Sequence, residues 1–234
     1  MPAGNDRRLV LAAGVPPRVR TAPTGRRAPG RARVAERFAD HPGSLEDHWL
    51  PTTRAGALAL LDDFVRDHLP VFGDYEDAMR PGEAFLHHSV LSPALNLGLL
   101  HPAEVVEEVL QAYADGTAPL AAVEGFVRQV VGWREFVHGL YRHKPATWKA
   151  ANALDNHEPL PGWAWSLEGA PEPPLAGVLA TLRRYGWNHH IERLMVLGSW
   201  FLLHDHDPAE VLEWFTCQYV DAYEWVMVPN IIGM

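Results

Sequence analysis

The stretch GWNHHIERLMVLGSWFLLHDHDPAEVLEWFTCQYVDAYEWVMVPNIIGM, residues 186–234, decides the fold that we expect for this chain. Its apolar residues recur at spacings of three and four, which is typical of helices that bury one face. Asp207 followed by Pro208 gives a helix an N-cap and a first-turn proline, and Glu210 adds a carboxylate near the N-terminus. The stretch therefore predicts consecutive helices with no strand between them.

The helical periodicity extends upstream to Thr53. Thr53 is expected to cap a helix that ends at Pro70, and the sequence HPAE at 101–104 opens another helix that ends at Gly116. A longer amphipathic helix follows and ends before Pro145. No run of alternating apolar and polar residues interrupts this pattern, so the sequence predicts an all-α domain.

The N-terminal segment differs from the rest in composition. Residues 1–43 are rich in Pro, Gly, Ala and Arg without a helical or strand period, which predicts a disordered tail. Residues 1–37 hold nine arginines and two acids, net +7, which leaves 11 basic and 27 acidic residues afterwards, net −16. We therefore predict a tail over 1–43 and one helical domain over 44–234. A transit peptide fits the composition of this segment only weakly. A start site placed upstream of the true coding frame would give a similar composition.

Charge and cysteine content limit the class of protein. The residues after 37, with a net charge of −16, do not show the basic face that binding to DNA phosphates requires. The single Cys217 excludes a disulfide framework and is expected to be a small core residue in a reducing cytosol. The longest apolar run, residues 194–203, is about half the ~20 residues of a membrane-spanning helix. We expect a soluble, cytoplasmic monomer.

The first candidate binding motif is HHSVLSPALNLGLL, residues 87–100. It places Ser89, Ser92 and Asn96 at the start of a predicted helix, where hydroxyl and backbone N–H groups suit a phosphate. Taken alone, the motif is more often a helix-capping turn.

The second motif, GWREFVHGLY, lies on the long amphipathic helix. Gln129 and Trp133 share a helix face, whereas Arg134 and Glu135 point elsewhere. An Arg–Glu pair of this kind is ordinarily a solvated surface pair, so Trp133 is the stronger candidate.

The third motif follows Asn188, which is expected to cap a helix that begins with His189 and His190. Arg193 lies on a largely apolar face of this helix and therefore needs a partner there. Asp221 in a later helix is the natural candidate. The alternative is a core ion pair that binds no ligand. No metal is expected, because the histidines lack the i, i+4 spacing of a helix-borne zinc pair.

Together the three motifs resemble the helical FAD-binding domain of the photolyase/cryptochrome family, specifically the bacterial branch that normally carries an iron–sulfur cluster. The resemblance covers residues 44–234 and implies FAD as cofactor. The residues that it assigns to the cofactor are Ser89, Ser92 and Asn96 near the phosphates, Trp133 in the cavity wall, and Arg193, Asp221 and Asn230 at the isoalloxazine ring.

The resemblance also implies a reaction, in which light drives an electron from reduced FAD to a flipped-out pyrimidine photoproduct in DNA and splits it without net redox change. It places His190, and less strongly His189, against the lesion, where an imidazole can donate a proton. Adjacent helical histidines point about 100° apart, which favours only one of them. Trp214 matches the electron donor next to the flavin, and Trp165 is a looser match.

The chain departs from the family in length. The family has an N-terminal α/β antenna domain and further helices after the PNxxGM motif, and neither is found in this sequence. Pro173 and Pro174 stand where one cluster cysteine would be, so no iron–sulfur cluster is expected in this chain. We expect a truncated member with weak or absent binding to damaged DNA. Two alternatives remain open, a non-catalytic helical remnant and a cryptochrome-like photosensor.

Overall fold

The computed structural model describes Val15 and residues 27–233, and all regular structure in this part of the chain is helical. The predicted all-α class is confirmed, and the one isolated β-bridge described there joins Glu158 to His206. The α-helices are α1 (Arg27–Arg37), α2 (Arg54–Asp63), α3 (Leu69–Tyr75), α4 (Ser92–Asn96), α5 (Pro102–Ala114), α6 (Leu120–Val127), α7 (Arg134–His143), α8 (Gly162–Ser166), α9 (Pro173–Tyr185), α10 (Ser199–Leu203), α11 (Pro208–Gln218) and α12 (Glu224–Ile232). Shorter helical segments are the π-helices Phe64–His68, Arg128–Trp133 and Ile191–Gly198 and the 3₁₀-helix Ala146–Ala150.

Three of the predicted helix starts, at Thr53, His101 and Asp207, are confirmed at atomic detail. The Thr53 hydroxyl accepts the Gly56 N–H at 3.2 Å, and the Asp207 carboxylate accepts the Ala209 N–H at 2.7 Å. His101 caps α5 with its ring nitrogen while the Glu104 side chain bonds back to the His101 N–H. These contacts satisfy amide donors that the first turn of a helix leaves without partners.

The prediction that a helix ends at Pro70 is wrong. The helix continues without a break from α2 through Phe64–His68 to the end of α3. The Leu69 N–H bonds the Phe64 carbonyl, five residues back, in place of the usual four. This wider turn shifts the hydrogen-bond register just where proline supplies no N–H, which explains why Pro70 is tolerated.

Two hydrophobic clusters form the core. The first contains Phe64, Phe72 and Phe126, whose rings lie 4.8–6.0 Å apart. The second contains Phe201 and Trp214, with ring centroids 5.2 Å apart. Burying a large apolar side chain stabilises a fold by ~1.5–3 kcal/mol, so each cluster is a substantial part of the folding free energy. The candidate site lies where the two clusters meet.

The position of the single cysteine differs from the sequence expectation. Cys217 is exposed, because Trp214 and Phe215 occupy the core face of α11 and Cys217 falls on the opposite face. The expectation of a core cysteine is therefore wrong.

Residues 27–37 lie within the segment 1–43, for which we predicted disorder, and they form α1. The α1 side chains from 29 to 37 are all exposed, and local helix preference of Ala and Arg accounts for the helix without burial. Apart from Val15, the residues before 27 lie outside those described, so the tail boundary at 43 stays a prediction. None of the helices described here is both long and apolar enough to cross a bilayer.

Candidate functional site

A cleft lies between the two core clusters and contains residues from all three motifs. It consists of two adjoining cavities of about 310 and 230 Å³. The side chains that line both cavities are Ser89, Ser92, Phe126, Gln129, Trp133, Arg193, Asp221, Val226 and Asn230. The sequence therefore identified most of the polar groups in this wall, although they come from segments as far apart as Ser89 and Asn230.

Arg193 and Asp221 form a two-pronged ion pair in the wall of the cleft. Nη1 lies 2.8 Å from Oδ1 and Nη2 lies 3.0 Å from Oδ2, with side chains 13% and 5% exposed. The Arg193 Nε donates to the Asn188 carbonyl at 2.7 Å, and the guanidinium lies over the Tyr219 ring at 4.3 Å. The predicted pairing is confirmed, and the geometry is the paired, hydrogen-bonded form that buried charges require.

Asp221 is also held from the first motif. The Ser92 hydroxyl donates to Oδ2 of Asp221 at 2.5 Å, and the Asn96 amide donates to the Asp221 backbone carbonyl at 2.9 Å. Ser92 and Asn96, which the sequence places near a phosphate, therefore orient the carboxylate in this structure. Ser89 lines both cavities three residues earlier. Its assignment to the phosphates stays a prediction.

Asn188 does not cap the following helix, so that prediction is wrong. Its amide nitrogen donates to the Val178 carbonyl and to Glu192 Oε2, and its amide oxygen accepts the Tyr219 hydroxyl at 3.0 Å. These buried contacts tie α9 to the helix that carries Arg193. Burial raises the pKa of the Tyr219 hydroxyl, which keeps it a neutral donor, and burial likewise raises the pKa of Glu192.

The two adjacent histidines occupy different environments. The His189 ring is buried and stacks on His88, with ring centroids 4.5 Å apart and planes 6° apart. Burial, followed by the charges of His88, His190 and Arg193, lowers the pKa of His189 to about 3. His190 is exposed, and its Nε2 lies 3.1 Å from Oδ1 of Asp77. Both rings line the larger cavity, so the preference for His190 as proton donor stays a prediction.

Sequence reasoning missed His88 and Glu76, which also line the larger cavity. His88 lies next to Ser89 in the first motif, and that adjacency was the available signal. Ligand atoms of His88, His189 and His190 lie within 4.8 Å of one another, a spacing that can hold a metal ion. The stacking of His88 on His189 directs their in-plane lone pairs along parallel planes, however, and such lone pairs do not converge on one ion.

The aromatic residues that the sequence selected lie at different distances from the cleft. Trp133 lines both cavities from a π-helical turn and is 40% exposed. Trp214 is fully buried, its Nε1 donates to the Ala164 carbonyl at 2.8 Å, and its ring lies 4.9 Å from Phe215, which lines the larger cavity. Trp165 is partly buried and packs against the second cluster. Trp214 thus does not line the cleft itself but contacts Phe215, which does.

Asn230 lines both cavities from α12. Its amide nitrogen donates to the Val226 carbonyl of the same helix at 2.7 Å, which fixes the side chain against its own turn. On the second motif, the Arg134 guanidinium lies over the Trp225 ring at 4.9 Å and 3.4 Å from Glu135. Arg134 therefore contacts α12 through Trp225 at the smaller cavity, while Asn230 lines both cavities.

Comparisons with known proteins place this helical fold in one class. The chain is 39% identical over 201 residues to the (6-4) photolyase of Agrobacterium fabrum strain C58, which covers 86% of this chain and 39% of that protein. A segment of 70 residues is 46% identical to an uncharacterized protein of Acanthamoeba polyphaga mimivirus, covering 30% of this chain and 54% of that protein. No protein-family model matches the chain.

The fold also resembles the crystal structure of a bacterial class III photolyase from Agrobacterium tumefaciens. The TM-score is 0.66 at 23% identity, over 85% of this chain and 39% of that one. The chain belongs to the photolyase/cryptochrome family. It spans about two fifths of the length of the two photolyases that it matches.

Proposed function

We propose that this chain is a FAD-binding domain of photolyase type, with FAD held in the cleft beside Arg193 and Asp221. The buried ion pair in the shared wall of the two cavities carries the proposal. Taking two charges out of water costs several kcal/mol per ion, which makes such a pair weak as a device for stability alone. Its position in a cleft gives it a second use, because the guanidinium presents positive charge to an anionic ring.

The side chains present fit a flavin. The cleft combines aromatic and apolar walls from Phe126, Trp133 and Val226 with a few polar groups, a pattern typical of sites for flat cofactors. Gln129 and Asn230 add amides that can pair with the edge of a heteroaromatic ring. Ser89 adds a hydroxyl at the side of α4, where a phosphate is proposed to lie.

Each group in the wall has a distinct role in this proposal. Ser92 and Asn96 orient Asp221, Asp221 orients Arg193, and Arg193 stabilises negative charge on the bound ligand. When bound, reduced FAD would supply the light-excited electron that splits a pyrimidine photoproduct. His190 is the proposed proton donor at the rim, with its Nε2 held by Asp77, and Phe215 is the proposed contact between the cleft and Trp214.

A separate proposal concerns the binding of DNA by this domain. The residues after 37 carry a net charge of −16, and the relatives named photolyases are much longer than this chain. Since phosphate neutralisation supplies much of the affinity for DNA, we propose that this domain alone binds damaged duplex weakly.

Equilibrium titration with FAD tests the cofactor site. We expect flavin fluorescence to change saturably on mixing with the full chain, and Asp221→Asn to bind FAD at least about tenfold more weakly because Arg193 loses its oriented partner. Asp155→Asn removes an exposed carboxylate that lines neither cavity and is the matched control. Failure of the wild-type chain to bind FAD would remove the proposal and favour the helical remnant.

A further inference from the structure

Both ring nitrogens of His88 face backbone carbonyl oxygens. Nδ1 lies 3.2 Å from the Phe85 oxygen, Nε2 lies 2.9 Å from the Glu76 oxygen, and the residue is 8% exposed. A carbonyl oxygen accepts hydrogen bonds and donates none, so both contacts are favourable only if both nitrogens carry protons. A neutral imidazole would instead point one lone pair at an oxygen lone pair. The local geometry therefore fits the imidazolium form.

His189, stacked on His88, has no comparable partners. Within the part of the chain that the structure describes, neither of its ring nitrogens makes a hydrogen bond, and the Glu192 carboxylate is 3.7 Å away. Two parallel imidazoles in contact cannot both carry charge cheaply, because like charges at this separation repel. If the two rings together carry one extra proton, that proton is on His88, because its two carbonyl neighbours can accept both of its N–H groups.

We propose that His88 is a buried, permanently protonated positioning residue, which keeps His189 neutral and leaves His190 as the histidine that delivers a proton into the cleft. Delivery to a substrate rests on the proposed function. The charge states of the three rings do not, and they can be measured in the chain without any ligand.

Other charges around this corner of the cavity are compatible with that assignment. Among the described residues, charged groups beside the rings include Glu192 and Arg193 next to His189 and Asp77 next to His190. Glu76, whose backbone oxygen contacts His88, lies near Asp77, Glu124 and Arg128, and His87, which precedes His88 in the chain, is also buried. Burial raises the pKa of Glu76 and that of Glu192, and Glu192 makes no hydrogen bond to either ring nitrogen of His189. Asp77 bonds His190 at the rim, which orients that ring alone.

Nuclear magnetic resonance of ¹⁵N-histidine in the full chain tests the assignment. At pH 8, about 1.5 units above the usual imidazole pKa of ~6.5, we expect one buried histidine to show protons on both ring nitrogens. Loss of that signal in His88→Gln would assign it, and His189, assigned through His189→Gln, should stay neutral down to about pH 5. A neutral His88 at pH 8, or a His189 that titrates near 6.5, would overturn the proposal.

The His88→Gln variant gives a second readout. Glutamine keeps a side-chain donor but removes the charge, so the pKa of His189 should rise by about one unit or more. His157→Gln, which changes an exposed ring, should leave it unchanged. An unchanged His189 in folded His88→Gln contradicts the proposal. If that variant does not fold, the wild-type spectra, assigned with His189→Gln and His190→Gln, decide the question. Absence of FAD binding would remove the proposed function and leave this result untouched.

Discussion

The side chains of the cleft wall are held by contacts that cross the whole chain. Arg193 donates hydrogen bonds to both carboxylate oxygens of Asp221, and Asp221 also accepts one from the Ser92 hydroxyl, 129 residues away. Each member thus has its orientation set before any ligand arrives, which lowers the cost of ordering a binding site. Loss of one member should therefore affect both stability and binding.

Asp221→Asn should lower the free energy of unfolding. Removing one partner of a buried pair typically costs ~3–5 kcal/mol, since the other charge is left uncompensated. Asparagine keeps the volume and one acceptor oxygen, so we expect about 2–3 kcal/mol. Urea unfolding followed by circular dichroism measures it, with exposed Asp155→Asn as control. Equal stability of the two variants would show that the pair is not energetically coupled to the fold.

His189 should make the protein less stable in acid. Burial lowers its pKa to about 3, below the ~6.5 of an unfolded chain, so the unfolded state takes up the proton first as the pH falls. The stability that neutral His189 contributes is present above about pH 6.5 and is lost progressively towards pH 3. Between pH 6.5 and 5.5 the loss is about 1 kcal/mol.

Unfolding free energies of wild type and His189→Gln at several pH values between 7.5 and 5 measure this contribution. The variant should show the shallower dependence, while His157→Gln should follow the wild type. Identical slopes for wild type and His189→Gln would contradict the assignment of the acid sensitivity to His189.

The residues of the site were partly predictable. An arginine on an apolar helix face needs a partner, and that rule led to Asp221. His88 was not predicted as a site residue, because its proposed charge depends on contacts with two carbonyl oxygens and a stacked ring, and sequence spacing does not show these contacts. Ser92 and Asn96 were placed in the cleft, but their contact with Asp221 depends on the packing of α4 against the start of α12.

At the scale of elements, the ends of helices set the positions of the motifs. Gly186 ends α9 with a φ of +62°, and a Cβ at this position would lie 2.7 Å from the Val220 side chain. The turn thereby brings the segment before α12 against the start of the helix that carries His189 and Arg193. The Gly186 N–H donates to the Leu182 carbonyl, and this hydrogen bond closes the end of α9.

Gly186→Ala should destabilise the protein by about 1–2 kcal/mol or more, since alanine strains the left-handed backbone and collides with Val220. Gly98→Ala is the matched control, because Gly98 has a similar φ of +70° but open space around its Cβ position. The difference between the two unfolding free energies isolates the contact with Val220. Equal losses would mean that the side chain of Val220 moves away without cost.

Three helix starts were predictable, since caps at Thr53, His101 and Asp207 follow from local chemistry, whereas the predicted cap at Asn188 was wrong because its side chain bonds Val178, Glu192 and Tyr219. The continuation through Pro70 was not, because a π-helical turn has no simple signature and forms where packing favours it over a helix end. The face on which Cys217 lies was also missed. It depends on which residues of α11 the second cluster buries.

At the scale of the whole molecule, the chain has one cysteine and an uneven distribution of charge. An iron–sulfur cluster of the four-cysteine type needs four thiolates. We therefore expect no iron and no acid-labile sulfide in monomeric protein purified without oxygen. Stoichiometric iron and sulfide in a monomer would contradict this prediction.

A variant that lacks residues 1–43 should bind ultraviolet-damaged duplex weakly. The remaining acidic surface repels phosphates, so affinity at physiological salt should be no better than micromolar, in the range of non-specific binding. Fluorescence anisotropy with damaged and undamaged duplexes measures it, and the full chain shows what the nine arginines of residues 1–37 add. Submicromolar binding with preference for the lesion would overturn the prediction.

The central claim is that the cleft between the two core clusters holds FAD beside the Arg193–Asp221 pair. A crystal structure of the full chain reconstituted with FAD tests it most directly. We predict the isoalloxazine ring within hydrogen-bonding distance of Arg193 and Asn230, with the phosphates towards Ser89. Flavin bound elsewhere, or a cleft without flavin at saturating FAD, would contradict the account.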